Sequence, residues 1–198
     1  MSEITRMVVV LSLIAGVCSA ALTSANYLLD PYVNKQTDLN VRGPALERLF
    51  GKPAEEVLVN KVVVADENGD VPVFFMKGDD IVSRLAIEVI GKGGYGGDLT
   101  IMVGIDLVNE KLTGMETVSH SETPGLGARI EELVFRRQWQ GLPMDQAVAI
   151  TADGGVIDAI SGASTTSRAA VNGTNEVLDF VRERKDEILV QIAAQEKE

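Results

Sequence analysis

Hydrophobic and polar positions follow several rhythms along this chain, and the first stretch has none. From Met7 to Leu29 (MVVVLSLIAGVCSAALTSANYLL) 23 consecutive residues carry no charge. Coiled into a helix, this run is about 35 Å long, enough to cross ~30 Å of hydrocarbon with some tilt. Arg6 precedes it and Asp30-Pro31 follows, where the proline is expected to end the helix. Tyr27 and Tyr32 stand at the far end, where amphipathic rings favour the membrane interface. The competing reading is a cleaved signal peptide, for which Cys18-Ser19-Ala20 has suitable small residues. A membrane anchor over residues 1–29 is the expectation.

Beyond it the pattern changes twice. In ALERLFG (45–51) Leu46, Leu49 and Phe50 share one face at helical spacing, and Gly51 can end the helix. From Val57 to Leu107 β-branched runs are separated by DENGD, KGDD and GKGGYGG, which predicts several strands with a hairpin near Asn68-Gly69. A further helix is expected from Gly127 to Phe135 or a little beyond. Residues 148–160 read as strand, turn, strand. A last helix is expected from about Thr165 to Ala193, where Ala170, Thr174, Val177, Val181, Ile188 and Ile192 recur close to helical spacing. Strands and helices mix without regular βαβ alternation, so the class is α+β, with one domain over residues 30–198.

Composition narrows the chemistry. The formal net charge is −11 over 198 residues, which repels phosphate backbones and excludes nucleic acid as a natural partner. One cysteine, Cys18, permits no internal disulfide and no thiolate cluster. His120 is the single histidine, and no carboxylates stand at metal-ligand spacing, so no metal site is expected. No G-x-S-x-G is present to support a serine hydrolase.

Three glycine-bearing stretches remain. GKGGYGG (91–97) has five glycines in seven positions, a backbone able to lie flat against a ligand or simply a flexible hairpin tip. It is neither a P-loop nor a dinucleotide fingerprint. HSETPGLGARI (120–130) carries a strong Pro124-Gly125 turn signal, with Thr123 a possible cap for the element that follows. DAISGASTTS (158–167) crowds five hydroxyls ahead of the last helix. A helix N-terminus with Ser164, Thr165, Thr166 and Ser167 can cradle a phosphate, and Gly162 lets the turn approach closely; an ordinary cap needs only one of these hydroxyls.

Taken in order, Gly94-Tyr95-Gly96-Gly97, Glu122-Thr123-Pro124-Gly125-Leu126-Gly127, and Asp158 with Ser161-Gly162-Ala163-Ser164 resemble the FMN-binding domain of the G subunit of Rnf electron-transport complexes. The C subunit of the sodium-pumping NADH:quinone oxidoreductase shares that domain. The resemblance includes the N-terminal anchor and so spans nearly the whole chain. It implies FMN joined through its phosphate to a hydroxyl of the third motif, by position Ser164, with Thr165 adjacent as the alternative. The family usually has threonine there, and serine offers the same oxygen nucleophile. Asp158 would serve the flavin transferase that makes the bond.

The same resemblance implies that Ser161, Gly162, Ala163, Thr165 and Thr166 surround the phosphate, while Tyr95, Gly96, Glu122, Thr123, Leu126 and Gly127 line the flavin ring. No residue is expected to be catalytic in its own right. The chain would relay electrons within an ion-translocating ferredoxin:NAD oxidoreductase complex, without independent turnover, the flavin doing the redox chemistry. Its partners would be the other integral and peripheral subunits, the flavin transferase during maturation, and membrane lipid.

Orientation is open on charge alone, since only Arg6 precedes the apolar run while Lys35 and Arg42 follow it. The resemblance places the domain on the extracytoplasmic face of the cytoplasmic (inner) membrane. The alternatives are the quinone-oxidoreductase C subunit, whose chains tend to be longer, and an anchored binding or assembly module that keeps the fold without flavin. An unrelated acidic extracytoplasmic domain is the remaining reading.

Overall fold

The computed structural model describes residues 2–66, 69–78 and 81–195. The chain divides into two compact units, Met1–Asp38 and Leu39–Glu198. The first is one helix, α1 (Glu3–Thr37). Its segment Glu3–Asp30 is long and apolar enough to cross a membrane, and none of it is buried within the chain. Pro31 does not end the helix, contrary to the sequence expectation. A proline removes one N–H and crowds one carbonyl, at a cost of roughly 3 kcal/mol. The hydrogen-bond ladders on either side are left intact, so α1 continues through it to Thr37.

A π-helical turn, Asp38–Arg42, leads along the chain into the second unit, whose first α-helix is the expected short α2 (Gly43–Phe50). Pro44 lies in the first turn of α2, where its missing N–H costs nothing. Gly51, at φ 69°, closes the helix with its N–H on the Glu47 carbonyl at 2.8 Å. After α3 (Ala54–Leu58) come five strands: β1 (Lys61–Asp66), β2 (Gly69–Gly78), β3 (Ile81–Gly94), β4 (Gly97–Asp106) and β5 (Lys111–Ser119). They form an antiparallel meander in chain order. Asp66 pairs with Gly69, so the expected first hairpin is present, although Glu67 and Asn68 lie outside the described residues.

Alternation along the strands sends side chains to both faces of the sheet. Val73, Phe75, Leu85, Ile87, Ile101, Val103 and Ile105 join the core shared with the last helix, α5 (Ser164–Gln195). Phe74, Ala86 and Met102 face the other way, into a smaller core with Ala45, Leu46, Leu49 and Phe50 of α2. Gly104 pairs with Gly114, and a Cβ on Gly104 would stand 3.0 Å from Leu49 Cδ2. The paired glycines clear the groove that Leu49 fills.

Two sequence expectations fail between β5 and α5. The helix expected from Gly127 to Phe135 is broken into a 3-10 turn (Gly127–Glu131), a short α4 (Leu133–Arg136) and a second 3-10 turn (Arg137–Trp139), with extended Glu132 between the first two. Ile130, Phe135 and Trp139 are all buried in one core. In a continuous helix, positions five and nine apart point in opposing directions, so burying all three requires the break.

Residues 148–160 do not form the expected strand pair either. They make one bridge, Ile150 with Ile157, around a 3-10 turn. Side-chain amides replace the missing ladder. Asn175 donates to the Val148 carbonyl at 2.9 Å and accepts its N–H at 2.8 Å. Gln138 does the same for Asp158, accepting its N–H at 2.6 Å and donating to its carbonyl at 3.2 Å. The expected last helix is present with its ends moved by one or two residues.

Candidate functional site

The three glycine-bearing stretches meet at one end of the sheet. GKGGYGG is not a loose tip: β3 runs on through Gly94, and Gly94 pairs with Gly97 across a tight turn at Tyr95-Gly96. Gly93 (φ 83°) takes a left-handed angle open only to glycine at low cost, and its N–H bonds Asp98 Oδ1 at 3.0 Å. Two of the glycines make room for the second motif. A Cβ on Gly94 would stand 2.5 Å from Glu122 Oε1, and one on Gly96 would stand 2.7 Å from the Ser121 carbonyl carbon.

The second motif folds back on itself. The Thr123 carbonyl accepts N–H groups from Leu126 at 3.1 Å and Ala128 at 3.2 Å. The Thr123 side chain is exposed and caps nothing. Gly127 is buried, and a Cβ there would stand 2.6 Å from Glu122 Cδ. Glu122 is therefore held between Gly94 and Gly127 and is 6% exposed, with neither carboxyl oxygen bonded. Leu126 remains 44% exposed beside the third motif, where a Cβ on Gly162 (φ 79°) would stand 3.3 Å from its Cδ2.

The hydroxyls of DAISGASTTS divide by burial. Ser161, Ser164 and Thr165 are exposed. Ser167 is fully buried and structural: it accepts the Ile160 N–H at 2.9 Å and donates to the Ala163 carbonyl at 3.0 Å. Thr166 is fully buried, its hydroxyl unpaired, so it does not face solvent beside Ser164. Ala163 packs into the core and fixes the turn, leaving Ser164 to open α5. The Asp158 side chain is exposed on a backbone pinned by Gln138.

These residues suit a flat ligand with a phosphate tail: a Cβ-free backbone, a buried carboxyl lacking a donor, exposed Tyr95 and Leu126, and hydroxyls at a helix N-terminus. Comparison with known proteins agrees. The FMN-binding domain family model matches residues 94–179, which begins and ends around these motifs. The G subunit of the ion-translocating oxidoreductase complex of Methanosarcina acetivorans is 31% identical over 90% of this chain and 95% of its own. The chain belongs to this G-subunit family.

The corresponding relative from Haemophilus influenzae is 37% identical over 60% of each chain, and one from Aliivibrio fischeri is 29% identical over 91% of each. The fold is shared with the crystal structure of the C subunit of the Na(+)-translocating NADH-quinone reductase from Parabacteroides distasonis. That match has a TM-score of 0.60 and 21% identity, and it covers 75% of this chain and 94% of that one.

One feature of this family member was not legible in the sequence. His120 has two partners. Its Nδ1 accepts the Glu122 N–H at 3.1 Å, and its Nε2 stands 3.1 Å from Glu131 Oε1. The Glu131 contact spans eleven residues and reaches the last residue of the 3-10 turn Gly127–Glu131, which no local pattern announces. No cluster of metal-ligating side chains occurs among the described residues.

Proposed function

We propose that this chain is a membrane-anchored flavoprotein that relays electrons within an ion-translocating Rnf-type ferredoxin:NAD oxidoreductase complex, and that Ser164 carries FMN as a phosphate ester. The observation that carries the reading is the position of Ser164. It is an exposed hydroxyl at the first residue of a 32-residue helix, reached through left-handed Gly162, beside exposed Leu126. Thr166 and Ser167 are buried and unsuited to an external enzyme. Thr165 is exposed and is the one neighbouring rival.

Condensing a serine with FMN by loss of water is unfavourable in water, so the flavin must arrive as a phosphoanhydride. A flavin dinucleotide meets that need. The Ser164 oxygen would attack the flavin-side phosphorus as the anhydride P–O bond breaks, with the nucleoside monophosphate as leaving group and the hydroxyl proton passing to a base of the transferase. Exposed Asp158 and the Ser161-Gly162-Ala163 turn would present the serine to that enzyme. Ser161 and Thr165, with the first N–H groups of α5, would hold the phosphate; Tyr95, Gly96, Thr123, Leu126 and Gly127 would border the ring. Bound FMN would supply reversible electron transfer, and these residues would supply its position.

The apolar helix α1 would hold residues 1–29 in the cytoplasmic membrane, with residues 30–198 as the flavin domain on the extracytoplasmic side. The other subunits of the complex would be its partners, and no turnover of its own is expected. Intact mass is the test. Protein made together with its flavin transferase should exceed the bare chain by FMN less one water, and Ser164→Ala should remove that increment. Loss through Thr165→Ala instead moves the attachment to Thr165. No increment in the unmodified sequence favours the flavin-free module.

A further inference from the structure

Among the described residues, the carboxylates withdrawn from solvent have partners, with one exception. Glu116, 7% exposed, is held by Arg48 at 3.1 Å and by Arg136. Half-buried Glu88 is held by Arg42 at 2.6 Å. Glu122 is as buried as Glu116, and both of its oxygens lack a hydrogen bond. Gly94 and Gly127 are the reason it fits, since a side chain at either position would occupy the space of its carboxyl group. An unpaired buried carboxylate is costly, and a ligand that brings a donor to it relieves that cost.

We propose that Glu122 is the ring-reading residue of the site, accepting a hydrogen bond from N3–H of the flavin, and that His120 is the positioning residue behind it. The inference rests on the flavin reading above. Oxidised isoalloxazine has a single N–H, at N3, and that group needs an acceptor once the ring leaves water. The ribityl hydroxyls are donors and acceptors at once and can satisfy one another or water.

His120 secures the acceptor. Its Nδ1 takes the Glu122 N–H, so the proton of the neutral ring is on Nε2 and is donated to Glu131. One tautomer thus ties the Glu122 backbone to the 3-10 turn that also contains Gly127. The imidazole makes no claim on the Glu122 carboxyl group, whose two oxygens remain without a hydrogen bond.

The test is the flavin's own N3–H signal. The full chain is produced with its transferase in a riboflavin-requiring host fed 15N-labelled riboflavin, and N3–H is followed by proton–nitrogen NMR in detergent. Glu122→Ala should speed exchange of N3–H with water by about tenfold, the equivalent of one hydrogen bond. Glu122→Gln keeps the shape and a neutral acceptor, so N3–H should persist with its proton resonance moved upfield. His120→Ala should speed exchange, and His120→Asn, whose side-chain oxygen can take the Glu122 N–H, should restore it.

If Glu122→Ala and Glu122→Gln carry flavin by mass and leave N3–H as in the unmodified protein, the contact is overturned while the flavin reading stands. If the unmodified protein carries no flavin by mass, both fall. If His120→Ala leaves N3–H unchanged, the positioning role is overturned.

Discussion

Gly91 on β3 and Gly173 on α5 bring two backbones into contact. A Cβ on Gly173 would stand 3.3 Å from Gly91 Cα, and a Cβ on Gly91 would stand 2.6 Å from the Ala169 carbonyl oxygen. This contact sets how closely α5 lies on the sheet, and α5 begins with Ser164. Gly91→Ala should therefore destabilise the domain by about 1–3 kcal/mol, since backbone on the facing helix cannot step aside. Gly173→Ala should cost less, because its nearest contacts, Ile101 Cδ1 at 3.2 Å and Gly91 Cα and Val89 Cγ1 at 3.3 Å, are longer and alanine gains helix propensity of about 1 kcal/mol. Denaturant titration of both variants checks the order.

Ser164 and Ser167 separate attachment from architecture. Ser167→Ala should lower stability by about 1–3 kcal/mol, because the buried Ile160 N–H loses its acceptor, while the flavin mass increment remains. Ser164→Ala should do the reverse, leaving the melting temperature of the flavin-free protein close to unmodified. Intact mass and thermal melting on the same samples distinguish the two residues.

Thr174 joins the broken segment to α5. Its hydroxyl accepts Trp139 Nε1–H at 2.8 Å and donates to the Ala170 carbonyl at 2.9 Å, and both Thr174 and Trp139 are fully buried. Thr174→Val keeps the shape and leaves the indole donor unpaired, a loss of about 1–3 kcal/mol. Thr174→Ser, which keeps the hydroxyl, should recover a part of it. Chemical denaturation followed by Trp139 fluorescence reads both.

The β4–β5 turn supplies a pH dependence. Burial pulls the Asp106 carboxyl upward, but hydrogen bonds from the Asn109 side chain and the Asn109 and Val108 N–H groups, with the charge of Arg84, outweigh it and hold the group below its ordinary 3.8. A lowered folded-state value means that the charged form stabilises the turn above about pH 3.8 and that this contribution is lost as pH falls through the folded value. Asp106→Ala should be less stable by about 1 kcal/mol at neutral pH, and the gap should close on acidification through that range. Melting curves at stepped pH test the sign.

Much of the fold was legible in local pattern. An uncharged 23-residue run, the spacing of Leu46, Leu49 and Phe50, and β-branched runs cut by Gly and Asp each record a constraint that acts between near neighbours. α2, a run of strands between Val57 and Leu107 and α5 followed from it, whereas β5 (Lys111–Ser119) lies beyond the stretch that the pattern marked as strand. Residues 127–160 escaped because their conformation answers to distant partners. Ile130, Phe135 and Trp139 must all reach one core, and the amides of Gln138 and Asn175 stand in for strands that the segment lacks.

The site divides in the same way. Chain order alone named the three glycine-bearing motifs and the resemblance they carry. Only the tertiary structure decided that Gly94 and Gly127 would close on the Glu122 carboxyl, that Ser167 would be spent inside the loop, and that Glu131 would meet His120. Sequence determines which side chains are small, apolar or charged at each step. Which of them is left buried without a partner is fixed by packing, because it depends on what the rest of the chain brings, or fails to bring, within hydrogen-bonding reach.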